Sequence, residues 1–226
     1  MTFFQKFPGV FIYPFKGDGT FALIAGGVFF YLLDLLARWS FLGIIVSAFV
    51  GGYYCAFMLG IIRSSVCEED ELPDWPSFTD WQEDIFRPLV HVIGTVIFCA
   101  LPAGLYYFIQ IHDKEHFDNV FWFLAGIGVL YFPMGLLAVA VYDSLAGLNP
   151  LIVFIAIAKT PVQYLLALLG LAVAVALSMW IAAMATEYLP IGSGLIITMT
   201  SLYFTAVEMR ILGVLYNSNS EKLQWV

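Results

Sequence analysis

Residues 64–88 read SSVCEEDELPDWPSFTDWQEDIFRP, and no other passage of the chain is as polar. Glu68, Glu69, Asp70, Glu71, Asp74, Asp80, Glu83 and Asp84 face one opposing charge, Arg87, so nearly all of the net charge of −8 sits here. Pro73 and Pro76 disfavour helix in the residues before them, which predicts an extended run over 72–77. Thr79 and Gln82 have capping-box spacing, and Pro88 is a natural helix stop that could also serve as the first residue of the next helix, so a short helix is expected over 80–87. On it Trp81, Ile85 and then Leu89 turn towards one side.

Everything around this passage is apolar enough to live in lipid. Of 226 residues, 62% are hydrophobic and 12% charged, with a mean hydropathy of +0.90, whereas soluble domains carry about 25% charged residues. Backbone amides cannot stay unpaired in hydrocarbon, and the apolar runs approach 20 residues instead of alternating in tens, so helices are favoured over a barrel. The expected fold is all-α, one polytopic transmembrane bundle spanning residues 1–226, with about six spanning helices and short interfacial helices.

Working outward, residues 1–20 are rich in phenylalanine, broken by Pro8 and Pro14, and lack the order of a signal peptide. They read as an uncleaved interfacial arm with aromatics at headgroup depth. Spans are expected over 21–37, 41–62, 89–111, 120–142, 162–184 and 195–215. Seventeen residues at 1.5 Å each, about 25 Å, are just enough to cross. Asp34 and Arg38 are spaced to pair at the end of the first span; Asp118 or Asn119 can cap the fourth. Residues 151–158 are apolar but too short to cross and are bracketed by Asn149-Pro150 and Thr160-Pro161, which predicts an in-plane or re-entrant helix.

With six spans and the amino terminus inside, Lys6, Lys16, Arg63, Arg87, Lys159, Arg210 and Lys222 lie inside, against Arg38 and Lys114 outside. Both termini and the acidic linker are then cytoplasmic, in a plasma (inner) membrane. The echo Pro102-Ala-Gly, Pro133-Met-Gly and Pro190-Ile-Gly suits kinked membrane helices as well as a duplication.

Gly52-Tyr53 leading to Arg63, then Leu72-Pro73-Asp74-Trp75 with Phe78 and Asp84, then Leu148-Asn149-Pro150, then Leu212-Gly213 with Leu215-Tyr216, resembles the bacterial and archaeal membrane family called domain of unknown function 4013. The resemblance implies a multi-helix membrane protein with a cytoplasmic linker of this kind, and no assigned activity.

No catalytic or nucleotide-binding signature is present, so no enzyme activity, cofactor or nucleic-acid partner is expected. Cys55, Cys67 and Cys99 form no C-x-x-C pair and read as buried thiols. His112 and His116, spaced i,i+4 in the outer loop, are weak metal candidates, because the residue after the first is Asp113, not glutamate. His91 reads as an interfacial structural residue. In the last span Gly194, Thr198, Ser201, Thr205 and Glu208 form one polar stripe ending in a carboxylate. Such stripes glue membrane helices together, but an ionisable group at depth invites a functional reading. Arg210 points to another face; Arg63 is the expected partner of Glu208. The leading expectation is a scaffold or accessory subunit in the lipid bilayer. Glu68, Glu69, Asp70, Glu71, Asp74, Trp75, Trp81 and Asp84 would contact a protein partner in a membrane complex or homo-oligomer. The alternative is a small transporter or channel lined by the fourth and sixth spans, which needs Glu208 and the stripe; Asp34 is a further intramembrane polar residue.

Overall fold

The computed structural model describes residues 3–39, 43–76, 80–111, 117–189 and 192–225, without the side chains of Arg38, Trp39 and Ile111. The fold is all-α, with no strand among the described residues. Six helices are long and apolar enough to cross a membrane. The first covers Gly19–Trp39, the second Gly43–Val66, the fourth Asn119–Tyr142, the fifth Pro161–Tyr188 and the sixth Ser193–Asn217. The third runs over Gln82–Gln110.

That third span begins earlier than its sequence suggests. Pro88 does not end the helical path; it stands in the first turn of the α-helix that follows, the second of the two roles expected for it. Residues Gln82–Phe86 form a π-helical turn in which the Arg87 N–H reaches the Gln82 carbonyl, and Arg87–Tyr106 continues as α-helix. A wider turn leaves room for a ring that would otherwise clash with the preceding carbonyls. The altered angular step also separates Trp81 from Ile85: Ile85 is buried and Trp81 is 66% exposed. Asp80 supplies the cap, its Oδ1 accepting from Gln82 N at 3.2 Å; Thr79 lies outside the described residues. Residues 72–76 have no regular structure, as the two prolines require.

The amino-terminal arm is partly inside the bundle, which corrects the expectation of a wholly interfacial arm. Phe3, Val10 and Tyr13 are buried, while Phe4, Ile12 and Phe15 stay exposed. Gly170 of the fifth span makes room for Phe7: a Cβ there would lie 2.6 Å from the ring. The Tyr203 hydroxyl donates to the Phe11 carbonyl at 3.0 Å. The fourth span starts under its expected cap, Asp118 accepting from Phe121 N at 3.0 Å. The short apolar segment forms a helix, Pro150–Lys159, capped by Asn149.

The sixth span is the axis of the packing. Gly213 lets it close on the second span, where a Cβ would meet the Ser65 side chain at 2.2 Å, and Gly27 receives Met199 on the first. The fully buried side chains concentrate at one end, in Leu59, Ile61 and Ile62, in Met134 to Val139, and in Ile211 and Leu215. Six alternating spans put the arm, the linker, residues 143–160 and the tail at that same end. Contacts join them there: Lys6 Nζ meets Glu68 Oε1 and Asn217 Oδ1, each at 2.8 Å, and Lys159 Nζ meets the Lys222 carbonyl at 2.7 Å.

Candidate functional site

The acidic linker is held by a buried cation from the far end of the chain. Arg210, 8% exposed, donates from Nη2 to Asp70 Oδ1 at 2.7 Å and from Nη1 to Ser65 Oγ at 3.2 Å and to the Glu69 carbonyl. Its Cζ lies 4.3 Å from the centroid of the Tyr13 ring, a cation–π geometry. Tyr13 in turn donates to the Glu71 carbonyl at 3.0 Å, and burial pushes its phenol above the ordinary value. Lys16 approaches Asp70 at 3.3 Å. The hydrogen bond from Lys6 holds the Glu68 carboxyl below the usual carboxylate range. Gly17, at φ +53°, lies under the Glu71 carboxylate; a Cβ would stand 2.6 Å from its Cδ.

Trp75 then turns the linker into the bundle. Its ring stacks on Phe57, centroids 4.2 Å apart and planes 15° apart, and on Tyr53 at 5.8 Å and 5°, with Phe30 at 5.7 Å. Gly26 of the first span provides the space: a Cβ there would be 2.2 Å from Trp75 Cζ2. Offset stacks of this kind contribute about 0.5–1.5 kcal/mol each beyond the area they bury. Trp75 is therefore a half-buried anchor of the linker in the bundle.

The sequence-predicted contact residues thus divide. Glu68 and Asp70 pair with cations of their own chain, and the Glu71 carboxylate lies against Gly17. Glu69, Asp74 and Trp81 remain exposed, as do Asp80 and Glu83, which lie outside the predicted set; Glu83 accepts from Arg87 at 2.7 Å. Asp84 is half-buried, its Oδ2 3.3 Å from the Asp80 N–H.

A second charged cluster ties the second, third and fourth spans together. Arg63 donates to Asp143 Oδ1 and, from Nε, to the Ala140 carbonyl at 3.1 Å. Arg87 approaches Asp143 Oδ2 at 3.3 Å. Buried His91 turns Nδ1 towards Asp143 Oδ1 at 3.7 Å, too long for a hydrogen bond. Asp143 adopts the left-handed conformation that ends the fourth span. The expected Arg63–Glu208 pair is therefore wrong: a carboxylate next to the end of the fourth span reaches Arg63 instead.

On the sixth span, Gly194 receives Tyr31, Thr198 bonds its own Gly194 carbonyl at 2.9 Å, and Thr205 bonds the Tyr54 hydroxyl. Ser201 and Glu208 are half-buried. Thr198 places its hydroxyl within its own helix, so among the described residues the contacts of the stripe with its neighbours are seen at Gly194 and Thr205. Cys55 and Cys99 are buried as expected, but Cys67 is exposed. His112 and His116 lie outside the described residues, as does the Arg38 side chain expected to meet Asp34. Among the described residues no three His, Cys, Asp or Glu side chains come together as a metal site.

Sequence reasoning missed Arg210, Tyr13 and Asp143. One signal was present: an arginine seven residues inside the end of a span must find a partner, and the acidic linker was the richest source of one.

The chain matches no family model, and it has no significant match among curated proteins or solved structures. The motif residues of the sequence have packing roles of their own. Gly52 admits Ile85, Tyr53 stacks on Trp75, Arg63 meets Asp143, Asn149 caps a helix and Gly213 admits Ser65.

Proposed function

We propose that the protein is a non-catalytic membrane scaffold or accessory subunit whose exposed acidic surface, carried by Asp74, Asp80, Trp81 and Glu83, docks a basic segment of a partner protein. One observation supports this reading: Trp75 and Arg210 clamp the first half of the linker to the bundle, and in the second half Trp81 is 66% exposed beside exposed Asp80 and Glu83. A preorganised aromatic among carboxylates binds a basic chain at a lower entropic cost than a free tail would. Lys6, Lys16, Arg63, Arg87, Lys159, Arg210 and Lys222 crowd this end of the bundle, which by the positive-inside rule is the cytoplasmic end of an inner-membrane protein.

The test is quantitative co-purification from mild detergent with Asp74→Lys, Asp80→Asn and Glu83→Lys combined, asparagine keeping the cap acceptor at position 80 while removing its charge. These exposed substitutions leave insertion and folding intact. Loss of a stoichiometric partner supports docking; unchanged recovery of the same partner contradicts it.

Transport is the second reading, and one observation favours it. Glu208 is half-buried within a span, one turn from the Tyr54–Thr205 hydrogen bond. If the stripe carries a cation or proton, Glu208→Gln abolishes pH-dependent flux in reconstituted vesicles and leaves partner recovery unchanged.

A further inference from the structure

A cavity of about 490 Å³ opens on the clamped end of the bundle, between the arm, the linker and the sixth span. Three cations line it, Lys6 and Lys16 from the arm and Arg210 from the sixth span, together with the carboxylates of Glu68 and Asp70. We propose that this cavity binds a phosphate ester, either the headgroup of a phospholipid or a soluble phosphate compound.

The cations differ in how firmly they are committed. Arg210 is buried and its position is set by Ser65, the Glu69 carbonyl and the Tyr13 ring. Lys6 and Lys16 pair with Glu68 and Asp70, whose side chains are 67% and 68% exposed. Exposed ion pairs contribute little net free energy, so both lysines can turn from their carboxylates to a phosphate without loss of the clamp. A phosphate monoester offers three terminal oxygens to the three cations, and a diester headgroup two, with its ester oxygens as weaker acceptors. The freed acids then face any amine that the ester carries. The volume exceeds that of a bare anion, and Val10 and Val214 give the ester an apolar wall. Exposed Phe4, Ile12 and Phe15 of the same arm place lipid-compatible side chains beside it.

Gly9 supplies a test that leaves every charge in place. It lines the cavity, and a Cβ added there meets nothing within 4 Å. Gly9→Trp therefore has room at its Cβ to place a ring in the cavity, and it removes none of the clamp's own groups. Binding of inorganic phosphate and of dihexanoyl phosphatidylglycerol and phosphatidylethanolamine to the purified full chain is measured by calorimetry. Parallel measurements use Gly9→Trp and the double variant Lys6→Gln/Lys16→Gln.

The expected result is saturable binding, weakened at least tenfold by either variant. Saturation by the lipids alone assigns the site to a headgroup, and saturation by inorganic phosphate assigns it to a soluble compound. The two variants fail independently: if one does not fold, the other still reads the site. Absence of saturable binding by all three probes overturns the proposal, as does binding that the folded variants leave unchanged.

Discussion

Arg210 and Asp70 pair at 2.7 Å although 140 positions separate them in the chain. The pair is asymmetric, since Arg210 is buried and the Asp70 side chain is 68% exposed. Removing each partner therefore has a different cost. Asp70→Asn leaves the guanidinium its other partners, and thermal unfolding in detergent is expected to show a loss of about 1 kcal/mol or less. Arg210→Gln gives up charge-assisted hydrogen bonds, worth about 1.5–3 kcal/mol each, and the Tyr13 stack, so its loss should be several times larger. Equal effects would mean that the clamp is only a surface pair.

The Arg63 contact is tested by coupling. In double-mutant cycles, Arg63→Ala and Asp143→Ala should interact by about 0.5–3 kcal/mol, as residues in direct contact do. Arg63→Ala and Glu208→Gln, which share no hydrogen-bond partner among the described residues, should add to within about 0.5 kcal/mol. Coupling to Glu208 in place of Asp143 would restore the partner expected from sequence.

Sidedness is read with a native thiol. Cys67 is exposed while Cys55 and Cys99 are buried, so Cys67 is the intrinsic reporter for the linker. In intact cells a membrane-impermeant thiol reagent should leave Cys67 and a cysteine at Lys222 unlabelled and should label a cysteine at Lys114. Labelling of Cys67 from outside would reverse the orientation.

The spans were legible because each is an apolar run long enough to cross and bounded by charge or proline, and the Asp118 cap was legible because its chemistry is local. The site was legible only where local rules apply. Trp75 reads identically as an interfacial anchor or as an insert into the bundle; what decides is Gly26, one glycine among several in the spans, and nothing local links the two. Pro88 read equally as a stop or as the first residue of the next helix, because the π turn that joins the two stretches has no sequence mark of its own. Arg63 was assigned to Glu208 because its position at the end of a span was known, but not which helix ends stand beside it. Asp143 follows directly on the fourth span, and only the packing brings it to Arg63.

The central claim is that the linker is docked into the bundle through Trp75, and the most direct measurement is the thermal stability of Gly26→Ala in two backgrounds. A Cβ at Gly26 would stand 2.2 Å from the Trp75 ring, so with Trp75 present the substitution should destabilise, by about 1–3 kcal/mol for an overpacked site. In Trp75→Ala the obstruction is gone, and Gly26→Ala should be neutral or stabilising, since alanine is the better helix former. An equal loss in both backgrounds would contradict the account, placing Trp75 outside the bundle.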